Sequence, residues 1–152
     1  MRRKDREITD YEEMAEILRS APVCRLAMAD GDEPYVVPLC FGIDGRTIYL
    51  HMAHEGKKTD ILKKNPRCCL EVDSTEGPLP DDNPCSWEMQ YRSVICTGTA
   101  RFIEEAGEKR HALNCILKHY GGTEHNFSEK DLERVCVIRI DIREMTAKKH
   151  GY

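Results

Sequence analysis

Tyr35-Val36-Val37-Pro38-Leu39-Cys40-Phe41-Gly42-Ile43-Asp44-Gly45-Arg46-Thr47-Ile48-Tyr49-Leu50-His51-Met52 is the stretch that decides the fold class. Two apolar runs, Tyr35–Phe41 and Thr47–Met52, lie on either side of Asp44-Gly45. An Asp-Gly pair between apolar runs marks a tight hairpin, because both residues tolerate the positive φ such a turn needs. The runs are therefore read as antiparallel strands. Upstream, Val23–Ala29 is a third run of the same kind, set off by Asp30-Gly31-Asp32-Glu33-Pro34. Arg67–Asp73 adds a strand, and Cys136, Ile138, Ile140 and Ile142 alternate with charged residues to predict another over Val135–Ile142.

Ser86–Glu104 is a long strand-like segment whose apolar phase changes. Trp87, Met89 and Tyr91 occupy odd positions, but Val94, Cys96, Gly98, Ala100 and Phe102 occupy even ones. A one-residue slip of this kind predicts a β-bulge, or two strands joined near Arg92-Ser93. Helices frame the strands. Thr9-Asp10-Tyr11-Glu12 fits an S/T-x-x-E capping box, with Met14, Ala15 and Leu18 on one face and Ala21-Pro22 as the stop. Gly56–Lys64 and Glu105–Tyr120 are further helices, and Ser128-Glu129-Lys130-Asp131 caps a short one. The proline-rich Ser74–Pro84 reads as a surface loop. Six or seven antiparallel strands with peripheral helices in one domain, 1–152, point to a barrel, since closure removes exposed edges.

Composition sets limits on function. The 152 residues carry 23 basic and 27 acidic side chains, a net charge of −4, which disfavours a nucleic-acid surface. No stretch approaches the roughly 18 apolar residues of a membrane span. The basic start Met1–Arg6 runs into Glu7 and Asp10 rather than an apolar segment, so no secretory signal is expected and the expected compartment is the reducing cytoplasm. Eight cysteines are the compositional oddity, but no pair has the C-x₂₋₄-C spacing of a zinc site. Adjacent Cys68 and Cys69 point to opposite faces of a strand. The cysteines are read as small hydrophobes filling the core, with no metal site among them. Neither a G-x-S-x-G elbow nor a G-x-G-x-x-G or Walker loop is present.

One block carries chemistry. In Ile48–Lys58 a strand ends, a loop holds His51 and His54, and a helix opens at Gly56-Lys57-Lys58. A helix N-terminus offers free N–H donors and positive potential to a phosphate. Two lysines in a first turn oppose the usual preference for acids there, which an anionic ligand explains; simple solvation is the alternative. His51 closes the strand as either a proton carrier or an ordinary hydrogen-bonded histidine.

Met1–Ile8, the Ile48–Lys58 block (tyrosine-x-histidine-x-alanine, then glycine-lysine-lysine) and Arg92-Ser93-Val94 with Gly98-Thr99-Ala100 together resemble the nitroimidazole-resistance (Nim-type) flavoproteins of the pyridoxamine 5′-phosphate oxidase-like superfamily. The likeness runs in order from Met1 to about Ile142. It implies an FMN-binding split β-barrel, a homodimer with flavin at the subunit interface, and reduction of a small organic acceptor, nitroimidazole-like or quinone-like. A non-catalytic flavin-binding or storage module shares the same residues, and a haem- or metal-binding split barrel is a further alternative. The resemblance places Val37, Pro38 and Leu39 along the isoalloxazine edge and Tyr49, Leu50 and His51 beside the flavin. It places Gly56, Lys57 and Lys58 at the phosphate, Arg92 and Ser93 on the long strand that reaches the cofactor, and His51 at the substrate. Met52 stands where a small residue is commoner, which predicts a narrower pocket at His51. Trp87 is expected over the ring, at the subunit contact, or in the core.

Overall fold

The computed structural model describes residues 3–152; Met1 and Arg2, which open the block Met1–Ile8, lie outside the described residues. In chain order the elements are β1 (Glu7–Ile8), α1 (Tyr11–Ser20), β2 (Cys24–Asp30), β3 (Glu33–Leu39), β4 (Gly42–Asp44), β5 (Thr47–Met52), α2 (Lys57–Lys64), β6 (Arg67–Leu79), β7 (Glu88–Phe102), α3 (Ala106–His119), α4 (Glu129–Glu133) and β8 (Cys136–His150). All pairings are antiparallel, in the order β3-β2-β6-β7-β8-β5-β4, with β1 on β8. The sheet is not closed, since β3 and β4 end the order without pairing to each other. This is the split barrel that the resemblance implied, with eight strands rather than six or seven.

The Asp44-Gly45 turn forms, with Gly45 at φ +55°, and joins β4 to β5. The run Tyr35–Phe41, however, does not continue into that hairpin. Its strand ends at Leu39 and pairs with β2 instead, through the turn at Gly31. Asp10 rather than Thr9 caps α1, accepting hydrogen bonds from Glu12 N and Glu13 N. A helix has one N-cap, and the residue one step closer to the helix reaches both donors with a single carboxylate oxygen. Ser128 and Asp131 form the predicted capping box of α4.

Three boundaries differ from expectation. Half of the expected loop Ser74–Pro84 is strand: β6 runs to Leu79, with Pro78 opposite Met89 and Gly77 absorbing a register shift between Thr75 and Gly77. β7 is one strand, so nothing breaks at Arg92-Ser93; the bulge lies on β6, opposite Tyr91 and Gln90. A second shift sits at Thr97/Gly98 against β8. The odd-position residues Trp87 and Met89 are exposed, so the apparent second apolar face was never a core face. β8 continues eight residues past Ile142, where polar side chains hide a strand that β7 and β1 both pair.

Cys24, Leu26, Ile48, Leu50, Leu70, Val72, Val94, Ile138 and Ile140 fill the barrel with Leu18 of α1 and Ile61 and Leu62 of α2. Each fully buried aliphatic chain of this kind contributes about 1.5–3 kcal/mol. A second cluster, Tyr49, Val137, Leu113 and Ile116 among it, fastens α3 and α4 to the outer face of β5 and β8. Only half of the cysteines are core: Cys24, Cys68, Cys96 and Cys136 are buried, Cys69 and Cys115 half-buried, and Cys40 and Cys85 exposed. Burial holds the Cys24 and Cys96 thiols up at about 12 and that of Cys68 at about 11.

Candidate functional site

Strand alternation divides the Ile48–Lys58 block between two environments. Ile48, Leu50 and Met52 face the barrel core, while Tyr49 belongs to the outer cluster under α3. His51 shares the outer face and is exposed, lining a cavity of about 440 Å³ with Leu113, Ile116, Phe127, Asp131 and Arg134. Met52 therefore does not narrow that cavity. It turns inward, where Thr59 Oγ1 lies 3.5 Å from its sulfur. Tyr49 and Leu50 are themselves buried, and Tyr49 is paired to Gly42 on one side and Arg139 on the other. Burial pushes the Tyr49 phenol above its ordinary value.

The chain then turns at Gly56, whose φ of +130° favours glycine, and enters α2 with no side chain capping its first turn. Thr59 Oγ1 donates to Ala53 O at 3.1 Å, and His54 Nε2 lies 2.9 Å from Glu133 O, so the loop is pinned at both ends. Lys57 Nζ sits 4.6 Å from the centre of the Tyr35 ring, a cation–π contact that ties the start of α2 to the open edge strand β3. Lys64 and Asn65 complete the bridge: Lys64 Nζ is 3.4 Å from Asp30 Oδ1, and Asn65 Nδ2 donates to Ala29 O at 3.2 Å. Helix α2 thus runs from the end of β5 to the β2–β3 edge of the sheet. On β3, Val37 and Leu39 lean against the core while Pro38 is exposed.

Arg92 and Ser93 are not brought to this place. His51 pairs with Val137, beside the Ile138–Phe102 pair, whereas Ser93 pairs with Lys148. Ser93 and Phe102 are nine residues apart along β7, about 30 Å of strand at roughly 3.3 Å per residue. Ser93 opens instead into a cavity of about 410 Å³ with Tyr91, Ile95, Thr146 and Lys148. The Arg92 guanidinium lies 4.2 Å from the Tyr152 ring centre, and its Nε is buried without a hydrogen-bond partner among the described residues. Trp87 is 55% exposed, which removes the core-packing alternative; its Nε1 donates to Asp81 O at 2.8 Å.

Four residues near the site are not signalled by the sequence. Tyr35 is read there only as a strand residue, and its pairing with Lys57 depends on the barrel's curvature. Phe127, Asp131 and Arg134 reach His51 through the packing of α4, which no local pattern encodes.

Residues 10–149 match the family described as pyridoxamine 5′-phosphate oxidase. Among solved structures, a candidate 5-nitroimidazole antibiotic resistance protein from Bacteroides thetaiotaomicron is 34% identical with a TM-score of 0.83, covering 93% of this chain and 85% of its own. The flavocytochrome Anf3 from Azotobacter vinelandii is 21% identical with a TM-score of 0.86, covering 100% of this chain and 72% of its own, a likeness of fold. An uncharacterized protein of Rhizobium meliloti is 26% identical over 91 residues, 60% of this chain. The match spans about half of that curated relative, 53% of its length.

Proposed function

This chain belongs to the pyridoxamine 5′-phosphate oxidase family, and from that premise we propose that it is an FMN-dependent oxidoreductase acting on a small organic acceptor. The observation that carries the reading is the uncapped start of α2, with Lys57 and Lys58 beside the open edge of the sheet. A phosphate dianion fits there: first-turn N–H groups donate to it, and two ammonium groups neutralise it. The edge strand β3, with Val37, Pro38 and Leu39, and the strand end at Leu50 and His51 would lie along the edges of a flat ring, with Tyr49 behind them. Bound FMN would supply the electron transfer itself. His51, exposed at the mouth of an apolar cavity, would position the acceptor and carry a proton between solvent and the reacting atom. The Bacteroides relative, named for 5-nitroimidazole resistance, supports a nitroaromatic acceptor, with quinones as the related class.

Arg92 and Ser93 enter this reading from a second copy of the chain. About 30 Å of strand separates them from His51 in one copy, so a site using all of them lies between two protomers.

Reconstitution tests this directly. Full-length protein incubated with FMN, FAD or haem and freed of excess ligand should retain FMN and its yellow absorbance. The double variant Lys57→Ala/Lys58→Ala should lose at least about tenfold in FMN affinity, or about 1.4 kcal/mol. Retention of FAD or haem in preference to FMN, or unchanged FMN affinity in the double variant, would sink the assignment. Anaerobic turnover of nitroaromatics and quinones above the rate of free FMN separates an enzyme from a storage module.

A further inference from the structure

We propose that Asp44, His111 and Cys115 form a divalent-metal site of the zinc class that clips the β4–β5 turn to helix α3. The three ligand atoms all lie within 4.8 Å of one another. His111 Nε2 is 3.0 Å from Asp44 Oδ2 and 3.4 Å from Cys115 Sγ. Tetrahedral coordination at Zn–N and Zn–O of about 2.1 Å and Zn–S of about 2.3 Å requires N···O and N···S edges of about 3.4–3.6 Å. The two edges at His111 therefore need to open by only a few tenths of an ångström, and the Asp44–Cys115 edge, within 4.8 Å, has to settle near about 3.6 Å.

Both neighbours face the same ring nitrogen. A Cys-His-Asp relay would need the two imidazole nitrogens on separate partners, one taking the thiol proton and the other held by the carboxylate. Here a single Nε2 meets a carboxylate and a thiol together. As a donor it can satisfy the carboxylate but offers the thiol no lone pair; as an acceptor it takes the S–H but turns its lone pair toward the carboxylate. A dication at the convergence point resolves the conflict, because all three groups then present lone pairs to it. One carboxylate and one thiolate also balance its two positive charges.

Three features of the fold build the site. His111 and Cys115 are one turn apart on α3 and so share a face. The Tyr49 ring meets the His111 ring edge-on at 5.6 Å and 85°, which fixes the imidazole. Gly42 lets β4 lie directly against the backbone of α3, bringing Asp44 within reach. A cavity of about 360 Å³ opens on the triad and leaves room for water as fourth ligand. An N/S/O donor set with a thiolate favours Zn²⁺ or Co²⁺ over Mg²⁺ or Ca²⁺. The pattern His-x₃-Cys on one helix completed by an aspartate 67 residues upstream of the histidine is invisible to a search for paired cysteines.

Full-length protein, stripped with chelator and passed free of it, is titrated with Co²⁺ and then Zn²⁺. The expected result is one equivalent of Co²⁺ with a thiolate-to-cobalt charge-transfer band, displaced by Zn²⁺, and a Zn²⁺-dependent rise in Tm. Asp44→Asn and His111→Ala, both at exposed positions, should each weaken Zn²⁺ binding by more than about 100-fold, beyond what loss of an outer partner costs, with the far-UV circular dichroism of the parent retained. Cys115→Ser should abolish the band, and Cys40→Ser/Cys85→Ser should keep it. Failure of the parent chain to take up either metal, or uptake unaltered in the triad variants, would overturn the site. None of these readouts involves a flavin, so they stand apart from the proposed reaction.

Discussion

Gly42 and Cys115 are in such close approach that a Cβ on Gly42 would lie 2.5 Å from the Cys115 carbonyl carbon and 2.5 Å from Ile116 N. Both obstacles are backbone, so neither can rotate away. Gly42→Ala should destabilise the protein by about 1–3 kcal/mol, the range for forced overpacking, read as a shift in denaturant midpoint at unchanged m-value. Unaltered stability would mean that β4 stands farther from α3 than this contact implies.

Thiol chemistry should divide along burial. In the native protein Cys40 and Cys85 should react with a maleimide first, Cys69 and Cys115 more slowly, and Cys24, Cys68, Cys96 and Cys136 only on unfolding. The thiols of Cys24, Cys68 and Cys96, held between about 11 and about 12, supply almost no thiolate at pH 8. Peptide mass mapping after a short pulse gives the order, and early labelling of Cys96 would contradict the packing of β7.

Acid sensitivity should depend on Asp141. Burial pushes its carboxyl up, but hydrogen bonds from Arg139 and Arg101 outweigh that and hold it below the ordinary 3.8. A carboxyl lowered by folding stabilises above its unfolded value, and the contribution disappears as pH falls through the folded one. Asp141→Asn should thus be less stable than the parent at pH 7, and the gap should close below about pH 4. A gap that stays constant from pH 7 to pH 3 would show that the carboxylate charge is immaterial.

Subunit mixing should reveal whether one site draws on two chains. His51→Ala and Ser93→Ala, each impaired alone, should regain activity when unfolded together and refolded. Random pairing then leaves about one site in four with both residues native. No recovery in a mixture shown to contain heterodimers would place both residues in the same chain's site.

Much of this architecture was legible because it is local. The Asp44-Gly45 turn, the α4 capping box and the alternation of Cys136, Ile138, Ile140 and Ile142 are each set within a few residues. The strand tails of β6 and β8 were not, because Ser74–Leu79 and Arg143–His150 are held by neighbours rather than by their own apolar pattern. The phase change in β7 came from Trp87 and Met89, which are exposed and face no core, while the register shift nearby lies on β6 at Thr75/Gly77. Near the candidate site, the helix start at Gly56-Lys57-Lys58 was readable from the sequence, and the contact of Lys57 with Tyr35 was not, because it joins residues 22 positions apart. The Asp44-His111-Cys115 cluster was hidden for the same reason, since sequence spacing records only ligands that share an element.

The terminal strand β3 has a further consequence for the life of the chain before it is folded and after it is made. Pro34 and Pro38 are spaced by four residues, so their missing N–H groups fall on one side of the strand, and seven consecutive register pairs with β2 leave that side outward. An extended segment of another chain trying to dock there finds two absent donors in a row of five positions. The free edge of the sheet therefore refuses an incoming β-strand, and the protein can sit at high concentration without that edge seeding aggregates.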